Sequence, residues 1–161
     1  MKKVHLVRHA KSSWDYSVED KDRPLNERGI SDAHLVSRYL ARESFSCDTV
    51  FSSPANRALH TCMIFMRNLQ TPLGQVTITN SLYDFSGDSV ISFLKDLNSS
   101  LEEVMLFGHN HAFTHLANSF GNEYIDNVPT SGFVSIQFDI AHWTDLTKGS
   151  TLQTVFPKQL K

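Results

Sequence analysis

Through residue 120 the chain alternates short apolar runs with longer amphipathic stretches, and few folds accept that pattern. Val4-His5-Leu6-Val7 reads as a buried strand, as do Thr49-Val50-Phe51 and Val76-Thr77-Ile78. Val104-Met105-Leu106-Phe107 is fully apolar and is closed by Gly108-His109-Asn110. Between these runs the apolar spacing is helical. Ile30, Ala33, Leu35, Val36, Tyr39 and Leu40 predict a helix from about Glu27 to Arg42. Ser53-Pro54 reads as an N-cap and first-turn proline ahead of a second helix carrying Ala58, Leu59, Cys62, Phe65, Met66 and Leu69. Asp88 is expected to cap a third helix, and a fourth runs from about His111 to Phe120. Strand–helix alternation of this kind buries a mostly parallel sheet between two helical layers, an α/β class three-layer α/β/α sandwich. Val134, Ile136 and Phe138 alternate as a half-buried strand that Leu152 to Phe156 can pair with, predicting an antiparallel edge. At 161 residues, 1–161 reads as a single domain.

A formal net charge of -2 argues against a general nucleic-acid binder, which needs a basic excess. No apolar run approaches the roughly 20 residues of a membrane span, so no membrane partner is expected. No secretory signal is read at the start, where the apolar run is broken at Arg8, and the expected location is cytoplasmic. Cys47 and Cys62 lie in apolar surroundings and read as reduced core residues. Residues 15–24 are rich in charge with no apolar period and read as a solvated loop ending at Pro24.

Three polar clusters share one address. Arg8 and His9 follow the first strand, Ser53 and Arg57 the second, and His109 the strand at 104–107. Ligands of open parallel sheets bind outside the carboxyl ends of the strands, so these residues converge in such a fold. Two guanidiniums match phosphate oxygens, and a helix N-terminus adds free amides. One of two imidazoles can attack phosphorus as a neutral nucleophile. Arg8, Arg57 and a protonated His109 would keep His9 neutral by like-charge repulsion. The same cations would stabilise the transferring phosphoryl group, so neither a metal nor another cofactor is expected. His111 and His115 have the four-residue spacing of some zinc sites, but no glutamate lies between them and no third ligand is evident beyond His109. Trp14 and Tyr16, with Lys11, read either as a recognition rim or as packing over the loop.

These residues also resemble a known family. Leu6-Val7-Arg8-His9-Ala10 is similar to the Arg-His-Gly signature of the histidine phosphatase superfamily, with alanine in the glycine's place. Ser52 to Thr61 resembles its Ser-Pro-x-x-Arg-Ala-x-x-Thr motif, and Gly108-His109-Asn110 its second histidine motif. Arg8 to Trp14, Asp22 to Gly29 and Thr130-Ser131-Gly132 resemble the short SixA-type phosphohistidine phosphatases. The resemblance implies a phosphoglycerate mutase-like fold with His9 as nucleophile. Arg8, Arg57 and His109 would hold the phosphoryl group, with Ser12 and Asn110 as further candidates. It implies a phosphatase acting on phosphohistidine in a protein or on a small phosphorylated compound. A mutase would need a longer insertion to enclose its substrate, and a non-catalytic phosphate binder would not need both imidazoles. Larger members carry a carboxylic general acid in the region of Leu82 to Gly87, where Asp84 is the only carboxylate here. A phosphohistidine leaving group tolerates a weaker acid than an alkoxide does.

Overall fold

The computed structural model describes residues 1–161. Six strands form one sheet in the order β3-β2-β4-β1-β5-β6. They are β1 (Lys2–Arg8), β2 (Val50–Ser52), β3 (Val76–Ile78), β4 (Glu103–Gly108), β5 (Phe133–Phe138) and β6 (Ser150–Val155). Strands β1 to β4 are parallel to one another; β5 pairs antiparallel with β1, and β6 antiparallel with β5. The helices are α1 (Glu27–Arg42), α2 (Asn56–Leu69), α3 (Asp88–Lys95) and α4 (Ala112–Phe120).

The sheet is covered on both faces, which the period-2 alternation within its central strands makes visible. Val4 and Leu6 of β1, and Val104 and Leu106 of β4, pack with Val90 and Leu94 of α3 and with Phe113 and Leu116 of α4. Val7, Met105 and Phe107 point the other way, into a second core with Val36 and Leu40 of α1 and Phe65 and Met66 of α2. The three-layer architecture and antiparallel edge expected from the sequence are both present. Cys47 and Cys62 are buried and free, and burial pushes both thiols up to about 12, so neither is a ready thiolate. No helix is long and apolar enough to cross a membrane.

Two local readings change. Helix α2 begins at Asn56 with extended Ala55 as its N-cap, not at Ser53-Pro54; the Ser53 hydroxyl pairs with His109 and accepts only from the Ala55 N–H. Asp88 is the first residue of α3 rather than its cap. The capping carboxylate comes from Asp84, whose Oδ2 accepts from the N–H groups of Gly87, Ser89 and Val90.

Candidate active site

The register of two central strands brings the histidines together. Arg8 lies opposite Gly108 in the parallel β1–β4 pair, and the His9 N–H donates to the Gly108 carbonyl at 3.0 Å. His9 and His109, each one residue beyond that pair, therefore emerge side by side with ring centroids 5.2 Å apart. On the far side of β4, Ser52 lies opposite Phe107 and the chain runs on into α2, whose second residue is Arg57. Thr61 stitches this helix to the loop after His9. Its hydroxyl donates to the Arg57 carbonyl at 2.6 Å and accepts from the Ala10 N–H at 2.9 Å. Gly29 of α1 is pressed on the same loop: a Cβ there would sit 2.1 Å from the Lys11 carbonyl oxygen.

His9 is held in one tautomer and kept neutral. Its Nδ1 is 2.7 Å from the Ala10 carbonyl oxygen, which can only accept, so the proton of the neutral ring sits on Nδ1 and the lone pair on Nε2. Burial drives the imidazole pKa down to about 3, and the charges of His109, Arg57 and Arg8 add to that. Like-charge repulsion is therefore the secondary cause of neutrality. His109 is completely buried, and burial, followed by Arg57, takes it down to about 3 as well. It is neutral at pH 7, against the expectation of an imidazolium. Its Nε2 lies 2.8 Å from the Ser53 hydroxyl, which in turn accepts from the Ala55 N–H.

Unmet donors mark where an anion would sit. Arg8 gives Nη1 to the Val128 carbonyl at 2.9 Å but its Nε has no partner. Arg57 Nε, Arg23 Nε, His109 Nδ1 and the Ser131 hydroxyl are likewise buried and unpartnered. Five of the six such side-chain atoms in the chain belong to this one site, and Ser131 is tied into it by donating its N–H to the Arg8 and His9 carbonyls. Each unpartnered buried group costs about 1–3 kcal/mol, so their clustering points to a ligand rather than to chance.

Residues 4–88 match the sequence profile of the histidine phosphatase superfamily, branch 1. The chain belongs to this superfamily. An uncharacterized protein of Mycobacterium tuberculosis is 26% identical over 153 residues, covering 89% of this chain and 93% of its own. Among solved structures, the protein histidine phosphatase SixA complexed with tungstate superposes with a TM-score of 0.83 at 22% identity, covering 99% of both chains. A SixA homologue from Agrobacterium tumefaciens gives 0.80 at 23% identity, covering 96% of this chain and 97% of its own. The fold is thus that of SixA, from the first strand to the last.

In this histidine phosphatase the four residues Arg8, His9, Arg57 and His109 are brought together. The three more peripheral candidates are occupied otherwise. The Ser12 hydroxyl accepts from Arg23 Nη1. Asn110 accepts from the Thr114 N–H and hydroxyl in the first turn of α4 and donates to Asn127. Asp84 accepts from Ser86 as well as from three amides of the α3 N-terminus, and makes no hydrogen bond to the four. Burial works against its charge, but the amides of Val90, Ser86 and Gly87 outweigh that and hold the carboxylate ionised.

The stretch 15–24 is more than a solvated loop. It contains a short 3-10 turn, Asp20–Asp22, whose Asp20 reaches Arg57, and a buried Arg23 that lies 3.8 Å under the ring of exposed Trp14. Trp14 therefore both packs and faces solvent. Tyr83 and Phe85 close the other side, their rings 5.4 and 5.0 Å from that of His109. Charge in a loop carries no periodicity, so only the position of Arg23 within the SixA-like stretch 22–29 signalled it.

The two depressed imidazoles make stability pH-dependent. An unfolded histidine titrates near 6.5 and these near 3, so between those values the unfolded chain binds protons that the folded one refuses. Stability should fall as pH drops below about 6.5, by about 2 kcal/mol per histidine at pH 5. Thermal melts in phosphate-free buffer from pH 7.5 to 5 measure the slope, and His9→Asn should remove a large part of it. An unchanged slope in that variant would show that His9 is not the titrating group.

Proposed function

We propose that this histidine phosphatase transfers a phosphoryl group to His9 Nε2 without a metal ion, and that its substrate is phosphohistidine carried on a protein. The observation that carries the reading is the neutral His9 tautomer beside a cluster of buried, unpartnered donors. Nε2 attacks phosphorus and forms the new N–P bond as the bond to the leaving group breaks. Water then attacks the phosphoryl-His9 intermediate, releasing inorganic phosphate and restoring the imidazole. Arg8 and Arg57 supply the positive charge that a divalent ion supplies elsewhere.

The substrate class follows from what the nearby carboxylates are doing. Asp84 is committed to amide donors, and Asp20 is held below the usual carboxylate range against its burial by Tyr83, Arg57 and Arg23. Neither is a protonated acid. An alkoxide leaving group needs one; a phosphohistidine ring that has taken a proton from solvent on its other nitrogen leaves as neutral imidazole without it. The solved SixA with which this fold superposes is a protein histidine phosphatase, in keeping with that chemistry. Two free, buried thiols suit the reducing cytoplasm, which the reading takes as the compartment.

Phosphate release from a phosphohistidine-bearing protein and from a panel of phosphomonoesters, both in chelator, tests all parts together. The protein substrate should be preferred by at least about 100-fold in kcat/KM, the order of effect a positioned general acid contributes. Preference for the monoesters would reassign the substrate to small metabolites, and loss of turnover in chelator would overturn the metal-free step.

A further inference from the structure

Asp20 is the carboxylate that two arginines of the pocket share. Its Oδ2 accepts from Arg57 Nη2 at 2.9 Å and from the Tyr83 hydroxyl at 2.5 Å, and its Oδ1 accepts from Arg23 Nη2 at 3.2 Å. Its backbone carbonyl takes Arg57 Nη1 at 2.6 Å. Arg23 Nη1 is given to Ser12. Both guanidiniums are thus held by their terminal nitrogens, while both Nε atoms remain buried and unpartnered. A guanidinium is a rigid plane, so fixing Nη1 and Nη2 from one side also fixes where the Nε edge points. Arg57 is only 2% exposed and Arg23 8%, so neither has water to turn toward.

We propose that Asp20 is a positioning residue of the phosphate site: its carboxylate bridges Arg57 and Arg23, offsets their mutual repulsion, and aims their free Nε edges at the incoming phosphoryl group. This rests on reading the pocket as a phosphate site. It differs from a second use of the same contacts, in which the carboxylate occupies the anion's seat and must leave. The two predict opposite changes in anion affinity. An amide at position 20 is neutral and turns an N–H₂ donor toward one guanidinium, so it cannot give each its own acceptor oxygen as the carboxylate does.

The experiment measures orthovanadate binding and kcat/KM in wild type, Asp20→Asn, Asp20→Glu, Arg57→Gln and the Asp20→Asn/Arg57→Gln double variant, with melting temperatures alongside. Asp20→Asn should weaken vanadate binding and lower kcat/KM on the order of 10- to 100-fold. Asp20→Glu should recover part of the loss, and because the side chain is nearly half exposed the melting temperature should barely move. In the Arg57→Gln background the same substitution should add little, since its effect passes through Arg57. Tighter vanadate binding in Asp20→Asn, or an undiminished effect without Arg57, would overturn the inference. A wild-type protein that neither binds vanadate nor releases phosphate would instead overturn the phosphatase reading; normal wild-type behaviour matched by Asp20→Asn would overturn the inference alone.

Discussion

His9→Asn should lose at least about 10⁴-fold in kcat/KM and all covalent phosphoryl labelling. The substitution is chosen because the asparagine Nδ2 occupies nearly the place of His9 Nδ1. It can keep the 2.7 Å hydrogen bond to the Ala10 carbonyl while deleting the Nε2 lone pair. The loss then reports the missing nucleophile rather than a disturbed loop, which Thr61 and Gly29 continue to pin. Replacing a buried imidazole that resists protonation should cost little stability at pH 7. Rapid-quench labelling with phosphorylated substrate reads the covalent step directly. Turnover persisting in His9→Asn would move the nucleophile elsewhere.

Arg57→Gln should lower kcat/KM by about 10³-fold, with most of the effect in kcat. The guanidinium is almost wholly buried, so its charge acts through a medium that screens poorly. In the proposed mechanism it meets the phosphoryl oxygens most strongly when they are spread equatorially in the transition state, and a neutral amide cannot follow that change. The fold should survive. Asp20 retains Arg23 and Tyr83, and its carboxylate is open enough to be hydrated. A fall of less than tenfold would mean that Arg8 and Arg23 carry the phosphoryl charge without Arg57.

Much of this was legible in the sequence because it depends on period and on strand ends. The span of α1 was readable from Ile30, Ala33, Val36 and Leu40, and the convergence of Arg8, His9, Arg57 and His109 followed from three polar clusters at three parallel strand ends. What was illegible depends on which partner a polar group finds. Ser53-Pro54 has the form of a helix start, yet the hydroxyl goes to His109, and α2 begins three residues after Ser53. Asp84 and Asp88 are both plausible caps, and only the path of the 84–88 loop decides for Asp84. The charge state of His109 depends on burial, which two arginines nearby in sequence logic would not suggest. Asp20 was hidden for the same reason, and Arg23 was marked only by its place in the SixA-like stretch: nothing in a run of alternating charges tells which member folds inward.

The Arg8–Gly108 pairing has a consequence for how such a protein can change. Both imidazoles are set by a ladder of backbone hydrogen bonds in the middle of a sheet, with Ala10 and Gly108 carbonyls as their local references. The segment from Trp14 to Val18 hangs outside that ladder and is exposed at Trp14, Tyr16 and Val18. Lengthening or recolouring that segment leaves the spacing of the two rings untouched. The spacing of the two rings is therefore mechanically separable from the sequence of this exposed segment, and drift in the second need not erode the first.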